Sequence, residues 1–210
     1  MEDNKTIESV LAWRKKELLH FRAKFYGFDE LSDKDKLYYY KSSILLIYSH
    51  LEGGIIDCLK EYLASISNLK AKNSSIRIGT IFLANIDKVK KFDLNSELII
   101  NDDIFKFETS DKNLKFGSNY NDNIIVNLKS LLEIDEPSIN RPYLEGFKTK
   151  FLETRNRIAH GYKLIDETTI NKEYLEKYYE MVMKILDTFS VQLSNNIENK
   201  AYLTDGAKKF

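Results

Sequence analysis

Arg155, Asn156 and His160 place a guanidinium, an amide and an imidazole within one six-residue stretch, and Gly161 follows at once. An imidazole that starts from about 6.5 gives or takes a proton near neutral pH, and a guanidinium offers planar, bidentate donors that match a phosphate. Together they suit cleavage of a phosphodiester. Gly161 suits the left-handed conformation that commonly closes a helix. That predicts His160 in a last helical turn, near unsatisfied carbonyls whose dipole favours its protonated form.

The element that must position these groups is an amphipathic helix. Leu144, Phe147, Phe151 and Ile158 recur at three, four and seven residues, so one face is buried, and Arg155 falls on the same stripe. A charged group on an apolar stripe needs a partner or a purpose. Glu52, at the edge of another helical stripe beside Tyr48 and Ile55, either pairs with Arg155 and holds its guanidinium or is an exposed carboxylate. Arg141, Lys148, Lys150, Arg155 and Arg157 cluster around the stretch against Glu145 and Glu153 alone, which makes either a basic patch or a solvated helix face.

Arg155-Asn156-Arg157-Ile158-Ala159-His160 resembles the R-x4-6-H motif, with a polar residue after the arginine, of the HEPN superfamily of helical ribonucleases and nucleotide-binding domains. Gly161 and Tyr162 extend it to R-x4-H-x-Y, which resembles the toxin half of pairs formed by HEPN proteins and minimal nucleotidyltransferases. Upstream, Ile47-Tyr48-Ser49-His50-Leu51-Glu52-Gly53-Gly54-Ile55-Ile56 looks like the second-helix signature of the MAE-type HEPN-like nucleases, whose length and order of elements the whole chain also follows.

The resemblance implies an all-α, HEPN-like bundle of long antiparallel helices. It implies a metal-independent endoribonuclease, a toxin or anti-phage effector, with Arg155, His160 and Asn156 as catalytic residues and Glu52, His50 and Arg157 in support. His160 would act as base on the ribose 2′-hydroxyl or as acid on the leaving 5′-oxygen, and Arg155 would stabilise the phosphorane oxygens. No cofactor is called for, and a metal site from His50, Glu52 and Asp57 is disfavoured because this chemistry needs none. The implied partners are RNA and a second copy of the chain, since HEPN proteins commonly pair their motif helices across a two-fold axis. Tyr174, Tyr178 and Tyr179 on the final helix would help to form that dimer. An antitoxin such as a minimal nucleotidyltransferase is a further partner, with Tyr162 as its modification site. The alternative is a non-catalytic helical module, an adaptor or RNA- or nucleotide-binding partner of a nucleotidyltransferase or ATPase, in which Arg155 and His160 are structural.

Length and composition bound the rest. The 210 residues suffice for a sizeable core, and one domain over residues 1–210 is expected, with 198–210 as a flexible tail. Lys plus Arg and Asp plus Glu each number 32, so the net charge is zero and RNA contact must come from a local patch. Cys58 is the only cysteine, which excludes an intrachain disulfide or a cysteine-rich zinc site and fits a reducing cytoplasm. Residues 1–6 lack the features of a signal peptide, and the apolar run 44–48 is too short to cross a bilayer, so no membrane partner is expected. No glycine-rich phosphate loop and no repeat period occurs.

Along the chain, a first helix is expected over about residues 4–25, with Ile7, Val10, Leu11, Leu18, Phe21 and Phe25 as its stripe and His20 beside it without a role. Asp33 can cap a long second helix to about residue 67, the spine of the fold. Gly53 and Gly54 interrupt it at about 1 kcal/mol each relative to alanine, which implies a tight helix crossing. Residues 68–123 read as an irregular insertion with a helix over 76–89; 98–100 and 104–107 are short strands or helical turns. A short helix over 121–134, a break at Pro137 and Pro142, and a final helix over 169–197 complete the reading.

Overall fold

The computed structural model describes residues 6–85, 102–107, 128, 131–132, 150–162 and 170–209. Its main helices are α1 (Ala12–Lys24), α2 (Asp33–Asn68), α3 (Ile78–Ala84), α4 (Leu152–Ala159) and α5 (Lys172–Glu198). Among the described residues there is no strand, only two isolated bridges, and the fold is all-α. Most of the 68–123 insertion, Leu98-Ile99-Ile100 included, lies outside the described residues. So do the end of the helix expected to reach Val89, both prolines, and Leu144 and Phe147 of the motif stripe.

Local chemistry sets the helix ends. Ser32, rather than Asp33, caps α2: its hydroxyl accepts from the Asp35 amide at 3.2 Å and donates to the Asp35 carboxylate at 2.6 Å. Asn171 caps α5 by accepting the Tyr174 amide at 2.9 Å, so this helix begins slightly later than expected. The 36 residues of α2 reach roughly 54 Å at 1.5 Å per residue. Tyr40, Ile44, Ile47, Leu51, Ile55, Cys58, Tyr62 and Ile66 are buried along it, as its period requires.

The chain divides into two compact units, and both long helices contribute to each. One comprises Met1–Val10, Ile56–Glu136 and Phe189–Phe210. In it α3 is almost wholly buried, and the Tyr62 hydroxyl donates to Asn196 Oδ1 at 2.8 Å while Asn196 Nδ2 donates to the Leu132 carbonyl at 3.0 Å. Ile104 bridges to Lys72 in extended conformation, and Phe105 and Phe107 are buried. The C-terminal segment departs from the expected frayed tail. Tyr202 and Leu203 are buried, Ile76 bridges to Leu203, and Arg77 donates from its amide to the Tyr202 carbonyl and from Nε to that of Leu203. Two apolar side chains in a polar segment supply the burial that a composition average hides.

The other unit comprises Leu11–Ile55 and Pro137–Thr188. Leu11 and Leu186 close on Gly54, Arg14 lies against Gly53, and Glu17 approaches His50, so α1 runs antiparallel to α2. Lys15 pairs with Asp187 and Arg22 with Glu176 at 2.7 Å, so α1 is antiparallel to α5 as well, and α2 and α5 run the same way. His20 is exposed on α1.

His50 faces α1, away from the motif helix that it was expected to support. Two residues beyond Tyr48, it lies roughly 200° further around α2 and cannot share the Tyr48 face. It is 3 % exposed, its ring edge-on to Trp13 at 5.8 Å and its Nε2 3.5 Å from Glu17, and neither ring nitrogen makes a hydrogen bond among the described residues. Burial lowers its pKa, Glu17 opposes that, and Arg14 adds to it.

Gly54→Ala should destabilise by about 1–3 kcal/mol, because a Cβ there meets the methyls of Leu186 and Leu11 inside the crossing. Gly53→Ala should be neutral or stabilising by up to about 1 kcal/mol, because only the mobile end of Arg14 must move; urea midpoints compare the two. For His50, the unfolded chain takes up a proton at about pH 6.5, before the folded chain does. Stability is therefore full above that pH and declines as pH falls through it, until the lowered folded pKa is passed. Urea midpoints between about pH 7.5 and 5 should fall for the wild type, and the slope should flatten in His50→Leu.

Candidate functional site

The end of α4 is built by a glycine. Gly161 takes φ +68°, its amide donates to the Ile158 carbonyl at 3.1 Å, and the Tyr162 amide reaches back to Arg157 at 2.8 Å. This paired closure is the left-handed termination expected from the sequence. It leaves His160 at the cap, with its amide bonded to the Asn156 carbonyl at 3.0 Å and its side chain exposed. Tyr162 is 64 % exposed, with its ring 5.9 Å from that of His160.

The helix is seated on α5 by aromatic packing. Phe151 is buried and stacks on Tyr178 at 4.5 Å, and the Tyr174 hydroxyl donates to Thr154 Oγ1 at 3.2 Å, so α4 and α5 are antiparallel. Burial raises the pKa of both tyrosines, so they stay neutral phenols at physiological pH. Tyr179 is buried too, with the Arg22 guanidinium 4.9 Å from its ring centroid. These three rings, expected on a dimer face, are instead engaged within the chain, because α5 carries apolar positions on more than one face.

Arg155 finds its partner on α2. Its guanidinium carbon lies 3.9 Å from the ring centroid of Tyr48, and its Nη1 donates to Asn156 Oδ1 at 2.7 Å. Glu52, one turn beyond Tyr48 and half-buried, makes no ion pair with Arg155; the aromatic face occupies the place expected for the carboxylate. Among the described residues no carboxylate pairs with Arg155. Arg157 is half-buried on the same helix and Lys150 is exposed before it, while Arg141 and Lys148 of the basic cluster lie outside the described residues.

Sequence reasoning missed Tyr48 as a member of this site, although it stands four residues before Glu52 on one face of the same helix. The structure brings Arg155, Asn156 and Tyr48 into contact, leaves His160 exposed at the helix end, and turns His50 away. Such a constellation can bind an oxyanion at the guanidinium and move a proton at the imidazole. Among the described residues, no group of three His, Cys, Asp or Glu side chains is placed to hold a metal ion, and no helix is long and apolar enough to cross a membrane.

Comparison with known proteins places both signature stretches in one family: the family model described as HEPN_MAE_28990:/-like HEPN matches residues 4–202. No curated protein and no solved structure matches the chain. The match spans α1 to α5, including the Tyr48-to-Gly54 string and the Arg155-to-Tyr162 string, and the chain belongs to the HEPN_MAE_28990-like HEPN family.

Proposed function

We propose that this HEPN protein is a metal-independent endoribonuclease, and the observation that carries the reading is the Arg155 guanidinium held on the Tyr48 ring, with no carboxylate partner among the described residues, on a helix whose end exposes His160. His160 removes the proton of a ribose 2′-hydroxyl, or gives one to the departing 5′-oxygen, while Arg155 takes the charge that develops on the phosphorane oxygens. The 2′-hydroxyl is an internal nucleophile already placed by the sugar. Its attack forms the 2′-oxygen–phosphorus bond, breaks the bond to the 5′-oxygen, and leaves a 2′,3′-cyclic phosphate. DNA, without that hydroxyl, is not a substrate.

One imidazole does not readily serve as both base and acid in a single step. A two-fold dimer that joins the ends of two α4 helices supplies the second His160, with both copies of Asn156 orienting phosphate or guanidinium. In a cell such an enzyme acts as a toxin or anti-phage effector. Tyr162, exposed and with its ring 5.9 Å from that of His160, suits modification by a nucleotidyltransferase antitoxin, because a phosphate on it would compete with RNA for Arg155.

A second reading, a non-catalytic binding module, draws on the fact that Arg155 is engaged by Tyr48 and Asn156 of its own chain. Purified protein with total RNA, beside the variants, separates the two. Arg155→Ala and His160→Ala should each lower cleavage by at least about 100-fold while helicity and melting temperature stay close to the wild type, since neither side chain is buried in the core. Wild-type protein that leaves RNA intact, or either variant retaining full activity, overturns the catalytic assignment. Light scattering should give about twice 24.6 kDa at micromolar concentration. An active monomer would exclude the shared cleft.

A further inference from the structure

We propose that Tyr48 is a positioning residue that sets the plane of the Arg155 guanidinium, an inference whose kinetic consequence rests on the ribonuclease reading above. Tyr48 is 3 % exposed on α2, so packing locks its ring before any substrate arrives. The guanidinium carbon lies 3.9 Å from the ring centroid, in contact with its face and with no room for water between them. The face of an aromatic ring carries partial negative charge and attracts a cation without neutralising it. A carboxylate in the same place would hold the arginine equally well but would compete with the phosphate for its donors. The amide of Asn156, at 2.7 Å from Nη1, fixes the rotation that the ring leaves open. Ring and amide together hold one face and one nitrogen, and the rest of the guanidinium edge is presented in a defined direction.

A donor fixed in advance stabilises a transition state more than one that must be ordered during the reaction, so loss of the ring should appear in kcat rather than KM. With a short RNA substrate, Tyr48→Leu should lower kcat by about 10- to 100-fold and change KM by less than about threefold. Tyr48→Phe, which keeps the ring, should restore most of the lost rate. An independent readout is the Arg155 Nε–H resonance in 15N-labelled protein, which the Tyr48 ring current should move upfield and Tyr48→Leu should return.

A wild-type protein that shows the shifted resonance but cuts no RNA would overturn the ribonuclease reading and leave the positioning contact standing. A folded Tyr48→Leu with wild-type kcat, or an Arg155 resonance indifferent to the substitution, overturns the proposal. Should the leucine variant fail to fold, Tyr48→Trp decides. An Arg155 resonance moved by the larger ring supports the contact, and one left at its wild-type position overturns it.

Discussion

A guanidinium on the apolar stripe of a helix has to be compensated, and the contact of Arg155 with the face of Tyr48 is the interaction on which the site depends. It links a residue of the short helix α4 to the middle of the longest helix in the chain. The ring takes part of the desolvation cost while leaving the positive charge intact.

The glycine pair lies roughly one and a half turns beyond Tyr48 along the same helix. Gly54 lets Leu11 of the N-terminal region and Leu186 of α5 approach the α2 backbone, where any side chain would push them apart. At Gly53, its neighbour in sequence, the atoms nearest an added Cβ belong to the Arg14 guanidinium, so two adjacent glycines in one helix have different surroundings. The face of α2 that carries His50 is then spent on α1, through Trp13 and Glu17. One helix thus divides its sides between holding the fold and holding the arginine.

The parts legible in the sequence were those governed by local periodicity and local caps. Leu18 inside α1 is buried, as are Leu11 and Phe25 in the 3-10 turns that flank it, where one helix from about residue 4 to 25 was expected, and Gly161 announces the left-handed closure that exposes His160. Side-chain direction across elements was harder. That His50 and Tyr48 lie on different sides of α2 follows from helical geometry alone, but which side meets α4 depends on tertiary packing that no spacing rule supplies. The choice of an aromatic face over a carboxylate for Arg155 is of the same kind, because Tyr48 and Glu52 stand one turn apart and both suit a cation. The C-terminal segment misled for another reason: Tyr202 and Leu203 bury two side chains in a stretch whose average is polar, and Ile76 and Arg77, far away in sequence, supply their partners.

The three histidines allow one further step about proton transfer. His50 is buried against α1 with its pKa lowered, and His20 is exposed on α1, whereas His160 alone lies on the helix that carries Arg155 and Asn156. If catalysis uses an imidazole as base and another as acid, the chain has no second histidine on its motif helix, and the turn of His50 toward Glu17 removes the nearest candidate on α2. The second proton carrier must then be another chemical group, such as water, or the His160 of another copy. The exposed end of α4, bearing His160 and Tyr162 while Phe151 is engaged with α5, is the part of this helix free to meet such a copy. Because the α5 tyrosines are committed within the chain, a dimer formed there would be held by the helix end and its charges more than by aromatic packing, and should weaken as salt screens those charges.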